Sequence, residues 1–270
     1  MFKITRKHNL TDHVFRMDIE APAIADRTQP GHYVDVRVNP DHSALTLPVV
    51  DCDRNLGTVS VVHRAQDLPS VQLSMLVEGD EVFEVRGPMG APCTFPDVGK
   101  VILAAEDLGV ASLFCRARTY RERGAYTICI LGFENKSEVF WEDVFGAVSN
   151  ELYVCTRDGS YGVNGGIATP MRAVCETYGD VERVVVMASL AQMRKAAKIA
   201  AEYDIPAVVS FDAIRPPIGG PGIFDVPDWS QEAFEFAKAP EIDAGDVDFD
   251  KLLAKEKAFF RISEEDAANA

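Results

Sequence analysis

The sequence predicts an antiparallel β-barrel, then an open parallel α/β sheet, then an irregular C-terminal extension. Three observations carry this expectation. Between Phe2 and Val98, short runs of β-branched and aromatic residues are separated by Gly-, Pro- and Asn-containing turns, with little helix. Between Gly99 and Asp212, apolar strand-like runs alternate with helix-like segments, as parallel strands require for their crossovers. Beyond that, Arg215–Gly222 reads RPPIGGPG, which cannot form regular structure. The expected units are residues 1–98, 99–212 and 213–270.

In the first unit, strands are expected at Val14–Ile19, Tyr33–Val38, Thr58–Val62 and Glu81–Val85. They are punctuated by Pro30-Gly31, Asn55-Leu56-Gly57, Glu78-Gly79-Asp80 and Gly87-Pro88-Met89-Gly90. One short helix, Ser70–Leu76, fits among them. In the second unit, strands are expected at Val101–Ala105, Tyr126–Gly132, Glu151–Thr156, Val184–Met187 and Ala207–Phe211. Helices are expected at Val110–Glu122, Thr169–Tyr178 and Leu190–Glu202. In the third unit Asp248 is placed to cap a helix, Phe249–Ile262, with Ser263–Ala270 as a frayed tail. Trp229, Phe234 and Phe236 read as a packed apolar plug, and Glu232, Glu235, Glu241 and Asp243 as a solvated acidic face.

The second unit is organised around VILAAEDLGVASLFCR, Val101–Arg116. A buried strand feeding a helix normally offers free backbone N–H groups and the positive end of the helix dipole to a phosphate, across a glycine-rich turn. This turn carries Glu106 and Asp107 instead, and the expectation is that they cap the helix themselves. At an effective dielectric near 20, a unit charge about 4 Å from another is worth roughly 4 kcal/mol, so the pair would repel a pyrophosphate.

Charge narrows the partners. The chain holds 42 Asp and Glu against 27 Lys and Arg, for a formal net charge of −15, which argues against nucleic acid or an anionic membrane. From Arg215 onward, 13 acidic residues face 6 basic ones. The opening MFKITRKHNL lacks the apolar core of a signal peptide and no apolar run is long enough to span a bilayer, so a cytoplasmic location is expected. The six cysteines, Cys52, Cys93, Cys115, Cys129, Cys155 and Cys175, share no CxxC spacing and read as small buried hydrophobes. No nucleophile elbow, HExxH or Walker-type loop is present, so no catalytic residue and no metal ligand is assigned.

Five stretches in order carry a resemblance: Pro30-Gly31-His32-Tyr33-Val34, Arg86-Gly87-Pro88-Met89-Gly90-Ala91-Pro92, Thr156-Arg157-Asp158-Gly159-Ser160-Tyr161-Gly162, Val209-Ser210-Phe211 and Ala239-Pro240-Glu241-Ile242-Asp243-Ala244. With them the chain resembles the ferredoxin reductase-like flavoprotein subunits. These include the small subunit of NADH-dependent ferredoxin:NADP oxidoreductase, also called the sulfide dehydrogenase beta subunit. More distant is the dihydroorotate dehydrogenase electron-transfer subunit. The resemblance implies FAD on the barrel, a nicotinamide nucleotide on the α/β unit, a [2Fe-2S] cluster in the extension and a larger redox subunit as partner.

The chain departs from that pattern at all three sites. Where the resemblance implies an Arg-x-Pro-Leu-Thr-like flavin strand, the chain has Ala44-Leu45-Thr46-Leu47-Pro48-Val49, leaving Thr46 and Pro48 as vestigial positions. The implied flavin-phosphate loop is Gln66-Asp67-Leu68-Pro69-Ser70, in which Asp67 adds a negative charge and only Ser70 keeps a hydroxyl. In the nucleotide turn Gly109 survives, able to let helix and strand approach closely, while the phosphate-facing glycines do not. Asp158, Gly159 and Ser160 are either a nucleotide-binding remnant or an ordinary turn. No cysteine follows Cys175, so a [2Fe-2S] cluster is not expected. The resulting expectation is a structural or docking subunit of a multisubunit electron-transfer oxidoreductase with degenerate cofactor sites. FAD retention is doubtful, NAD(P) is disfavoured, and the chain's own catalytic activity is in question. The alternative is an active FAD-containing subunit exchanging electrons between NAD(P)H and a partner's iron–sulfur centres.

Overall fold

The computed structural model describes residues 1–41, 43–211 and 241–255. Expectations for Arg215–Gly222, Trp229, Glu232, Phe234, Glu235 and Phe236, and for the chain beyond residue 255, lie outside these residues.

The first sheet has strands β1 (Phe2–Asn9), β2 (Val14–Glu20), β3 (Tyr33–Arg37), β4 (Leu45–Asp53), β5 (Thr58–Arg64), β6 (Glu81–Val82) and β7 (Glu84–Met89). Their order is β6-β1-β2-β5-β4-β3-β7, and every pairing is antiparallel. Only Phe83 separates β6 from β7, so one stretch of chain pairs with β1 at its start and with β3 at its end. The sheet thereby wraps into a nearly closed barrel, leaving almost no free edge. Alternating residues fill it, among them Ile4, Met17, Ile19, Val34, Val36, Val59, Val61 and Val82. Two short helices, α1 (Pro22–Ala25) and α2 (Leu68–Met75), lie on it.

The second sheet holds β8 (Lys100–Glu106), β9 (Tyr126–Phe133), β10 (Glu151–Thr156), β11 (Val163–Asn164), β12 (Arg183–Met187), β13 (Ala207–Val209) and β14 (Ile242–Asp243). The order is β11-β10-β9-β8-β12-β13-β14, parallel except for β14. Helices α3 (Gly109–Glu122), α4 (Glu142–Val148), α5 (Ala168–Thr177) and α6 (Leu190–Glu202) supply the cover. On one face Met171 and Val174 of α5 and Met193 and Ile199 of α6 pack on Ile102, Ile130 and Val184. On the other, Leu113, Phe114 and Ala117 of α3 share a core with Leu103 and Leu131 and with Val14, Val50 and Val62 of the barrel. Arg118 of α3 adds an ion pair to Asp51 of β4 at 2.7 Å. The barrel is therefore docked on the α3 face of the sheet.

Among the described residues no helix is long and apolar enough to cross a membrane. Cys93, Cys115, Cys129, Cys155 and Cys175 are buried thiols and Cys52 is half-buried, in line with their reading as small apolar side chains.

One expectation about the extension is overturned. Glu241 does not join a solvated acidic face; its side chain is 5% exposed, 3.3 Å from Arg116 Nε and 3.0 Å from Arg183 Nη2. Two guanidinium groups, from α3 and β12, offset the desolvation of one carboxylate, and this is the condition under which a charge can be buried. Asp248 does cap, accepting from the Lys251 N–H at 3.0 Å. Residues 249–255 are helical, with Phe249 and Leu252 buried.

Candidate nucleotide and flavin site

In the second sheet the chain runs from β8 outward to β9 and β10, then returns to the other side of β8 with β12 and β13. The ends of β8 and β12 thus form the switch point at which open α/β sheets bind ligands, and the turn from Glu106 to Gly109 lies there.

Gly109 is the first residue of α3, and a Cβ at this position would stand 2.6 Å from the Met187 carbonyl oxygen. The missing side chain lets the helix start directly against β12. The acids of the turn do not behave as expected. The cap position of α3 is held by Leu108, and no side chain caps the helix. Asp107 stands one residue too early, with φ 57° and its N–H bonded to the Gly132 carbonyl at 2.9 Å. Its carboxylate turns to the barrel and is held by both terminal nitrogens of Arg64, at the end of β5; the Nη1 bond is 3.1 Å. A two-pronged, charge-assisted guanidinium contact outcompetes neutral backbone N–H groups for a carboxylate. Arg64 also lies 3.5 Å from Glu138, which contacts His13 Nε2 at 2.9 Å.

Glu106 ends β8 and is 7% exposed. Its Oε2 accepts from the Ser189 hydroxyl at 3.2 Å, and Arg157 is 3.8 Å away while bonding Glu134 at 3.0 Å. Burial raises the Glu106 pKa above the usual carboxylate value, with Arg157 and Ser189 partly offsetting the shift. Next to it the Gln192 amide, 8% exposed, occupies the space a side chain on Gly166 would need; Nε2 is 2.1 Å from that Cβ position. Glu106 and Ser189 thus bond each other at the switch point, while the buried Gln192 Oε1 has no hydrogen-bond partner among the described residues.

The other positions singled out by sequence fall into two groups. Asp158, Gly159 and Ser160 follow β10 at the same end of the sheet. Asp158 Oδ1 accepts from the Ser160 N–H at 2.9 Å and its hydroxyl at 2.7 Å, and Ser160 Oγ accepts from the Lys136 N–H at 2.8 Å. Arg157 joins this turn to Glu106. In the barrel, Ser70 sits in the first turn of α2, a few residues beyond Arg64. The Ser70 N–H donates to Asp67 Oδ1 at 2.9 Å while its hydroxyl oxygen accepts from the Asp67 N–H at 3.0 Å, a reciprocal capping box. Thr46 and Pro48, on β4, face β3 instead: they pair with Asp35 and Tyr33, and the Thr46 hydroxyl donates to Asp35 at 2.6 Å. Sequence reasoning did not single out Arg64 or Glu138, and although the resemblance places Ala188–Met193 where relatives support the nicotinamide, it did not foresee what Ser189 and Gln192 meet. Each meets its partner across a large sequence separation, 43 residues for Arg64 and 83 for Ser189, and no local pattern signals such a meeting.

No protein-family model matches the chain. It is 28% identical over 257 residues to the dihydroorotate dehydrogenase B (NAD(+)) electron transfer subunit homolog of Thermotoga maritima, covering 94% of this chain and 89% of that protein. It is likewise 28% identical over 270 residues to an uncharacterized protein of the adh 3′ region of Clostridium beijerinckii, covering 96% and 90%. Among solved structures, a chain of the NADH-dependent reduced ferredoxin-NADP oxidoreductase superposes with a TM-score of 0.80 at 24% identity, covering 94% of this chain and 92% of that one. The fold is ferredoxin reductase-like. A ferredoxin NADP+ reductase from Neisseria gonorrhoeae, solved with FAD and NADP, shares it at a TM-score of 0.59 and 16% identity, over 75% of this chain and 90% of that one. In this chain the turn at the switch point of that fold carries Glu106 bonded to Ser189 and Asp107 bonded to Arg64.

Proposed function

We propose that this chain is a subunit of a multisubunit electron-transfer oxidoreductase, kept as a structural or docking component after its flavin and nucleotide sites were taken over by its own side chains. The electron-transfer subunits among its sequence relatives support the first part. The second rests on Glu106 and Asp107, one buried in the crevice with Ser189 and the other clasped by Arg64. A pyrophosphate there would meet two carboxylates and displace two sets of bonds. The barrel points the same way. Ala44 offers no guanidinium, the Thr46 hydroxyl is given to Asp35, and the start of α2 is satisfied by Asp67. These residues do not fit an FAD diphosphate, and no electron-transfer step is assigned to the chain.

The test is an ultraviolet-visible spectrum of the purified chain and of its complex, with cofactor extraction, before and after NADH or NADPH. The expected result is no stoichiometric flavin on this chain and no bleaching assigned to it. A stoichiometric flavin band bleached by either nucleotide would establish instead an active FAD-containing subunit.

A further inference from the structure

Helix α2 is apolar on two opposite sides. On the inner side Leu73 joins the barrel core, and the polar Ser70 is buried with it. At about 100° per residue, Leu68, Val71 and Met75 fall within roughly 60° of one another on the far side. They are 64%, 39% and 74% exposed, and Val77, just past the helix, is 55% exposed. Single exposed apolar residues are ordinary, but a helix apolar on both faces is the pattern of one covered on both faces.

The surroundings say what kind of cover fits. From Ala65 to Val85 the chain carries Asp67, Glu78, Asp80, Glu81 and Glu84 and no Lys, Arg or His; Glu84 is paired with Arg37 and Arg86 and Glu81 stands opposite Lys3, which leaves Asp67, Glu78 and Asp80 before and after the helix. Lys7, the cation that reaches the helix, is bonded to the Ser74 carbonyl at its C-terminal end. A second copy of this chain would bring two acidic rims together on a protein of net charge −15. We propose that the Leu68–Val71–Met75 stripe is the docking surface for a different polypeptide of the complex, one presenting an apolar cleft flanked by Lys or Arg. This inference rests on the reading of the chain as a complex subunit.

The experiment uses the full chain, tagged and isolated at low salt from its source cells with its bound partner. Mild peroxide should oxidise Met75 in the free chain at a rate near that of Met1, which is 84% exposed, while Met17, Met171, Met187 and Met193 are fully buried and react slowly. In the complex, Met75 should be protected relative to Met1. Cross-links from a photoreactive residue at position 71 should land on a partner segment containing Lys or Arg. The double variant Val71→Asp, Met75→Asp should weaken association about 30-fold or more, the loss expected for a hot spot, with unchanged circular dichroism and melting. Leu56→Asp, at the opposite end of β5 and 60% exposed, should leave association unchanged. An intact complex with Met75 as reactive as in the free chain would overturn the inference while leaving the subunit reading in place. A self-dimer lost in the double variant would also overturn it, as would protection of Met75 in the free chain that deleting residues 256–270 removes. If the chain is isolated alone, both readings fall.

Discussion

The starts of α2 and α3 each have an aspartate at hand and use it differently. Asp67 occupies the cap position itself with extended backbone, φ −132° and ψ 169°, so its carboxylate reaches the N–H of Ser70 and closes the helix end. Asp107 precedes the cap by one residue in a left-handed conformation, so its carboxylate leaves the helix and holds the barrel through Arg64. One residue of register decides whether an acid finishes a helix or joins two layers. Only the first route places a carboxylate on the helix N–H groups; those of α3 have no side-chain cap.

The sharpest break in this comparison is steric. Gly109 and Leu68 are the first residues of their helices, but only Gly109 abuts a neighbouring strand. Gly109→Ala should lower unfolding stability by about 3 kcal/mol in urea titration, because the new methyl meets a carbonyl that cannot swing away. Leu68→Ala, at a largely exposed position, should cost under about 0.5 kcal/mol.

The pH response should separate the two layers by sign. His63, under α2 and 2% exposed, has its pKa pushed down to about 4 by burial and then by Lys7, against weaker opposing effects of Ser70 and Asp67. Neutral His63 is therefore favoured in the folded barrel. Its contribution is present above the unfolded value of 6.5 and is lost as pH falls toward 4, by up to about 3 kcal/mol. Glu106 works in reverse. Its folded pKa is raised above 4.5, so the stability it contributes is fully present below 4.5 and is lost as pH rises through the folded value. Chemical denaturation across this range should show the acid-side loss flattened in His63→Leu and the alkaline-side loss flattened in Glu106→Gln. Opposite assignments would break the comparison.

Smaller effects test the two aspartates directly. Asp67→Ala should cost about 1 kcal/mol, as loss of a helix cap does. The coupling between Arg64→Ala and Asp107→Ala in a double-mutant cycle should be about 0.5 kcal/mol and should shrink with salt, since the Asp107 side chain is 54% exposed. Equal costs for Asp67 and Asp107 would mean that both act as caps after all.

Strong periodicity made most of this architecture legible. Leu190–Glu202 and Glu151–Thr156 are found at their expected bounds, and the central strand and α3 within a residue at each end. Of the elements not among the expected strands and helices, β1 and α4 bury little surface, whereas β4 buries Leu45, Leu47, Val49 and Val50. In β1 only Ile4 is fully buried, so the alternation that marks a half-buried strand is missing. In α4 only Phe145 is buried, leaving no apolar stripe to read. At the site, the acids of the turn and the closeness allowed by Gly109 could be read from sequence, whereas the destination of each carboxylate could not.

By itself the sequence determined the barrel, the α/β sheet and the acidic turn between β8 and α3, because periodicity and turn chemistry act over a few neighbouring residues. Only the tertiary structure decided that Asp107 bridges the layers, that Glu106 bonds Ser189, and that Glu241 is buried between two arginines. A carboxylate bonds the strongest donor within reach, and which donor that is depends on how distant strands and helices are packed.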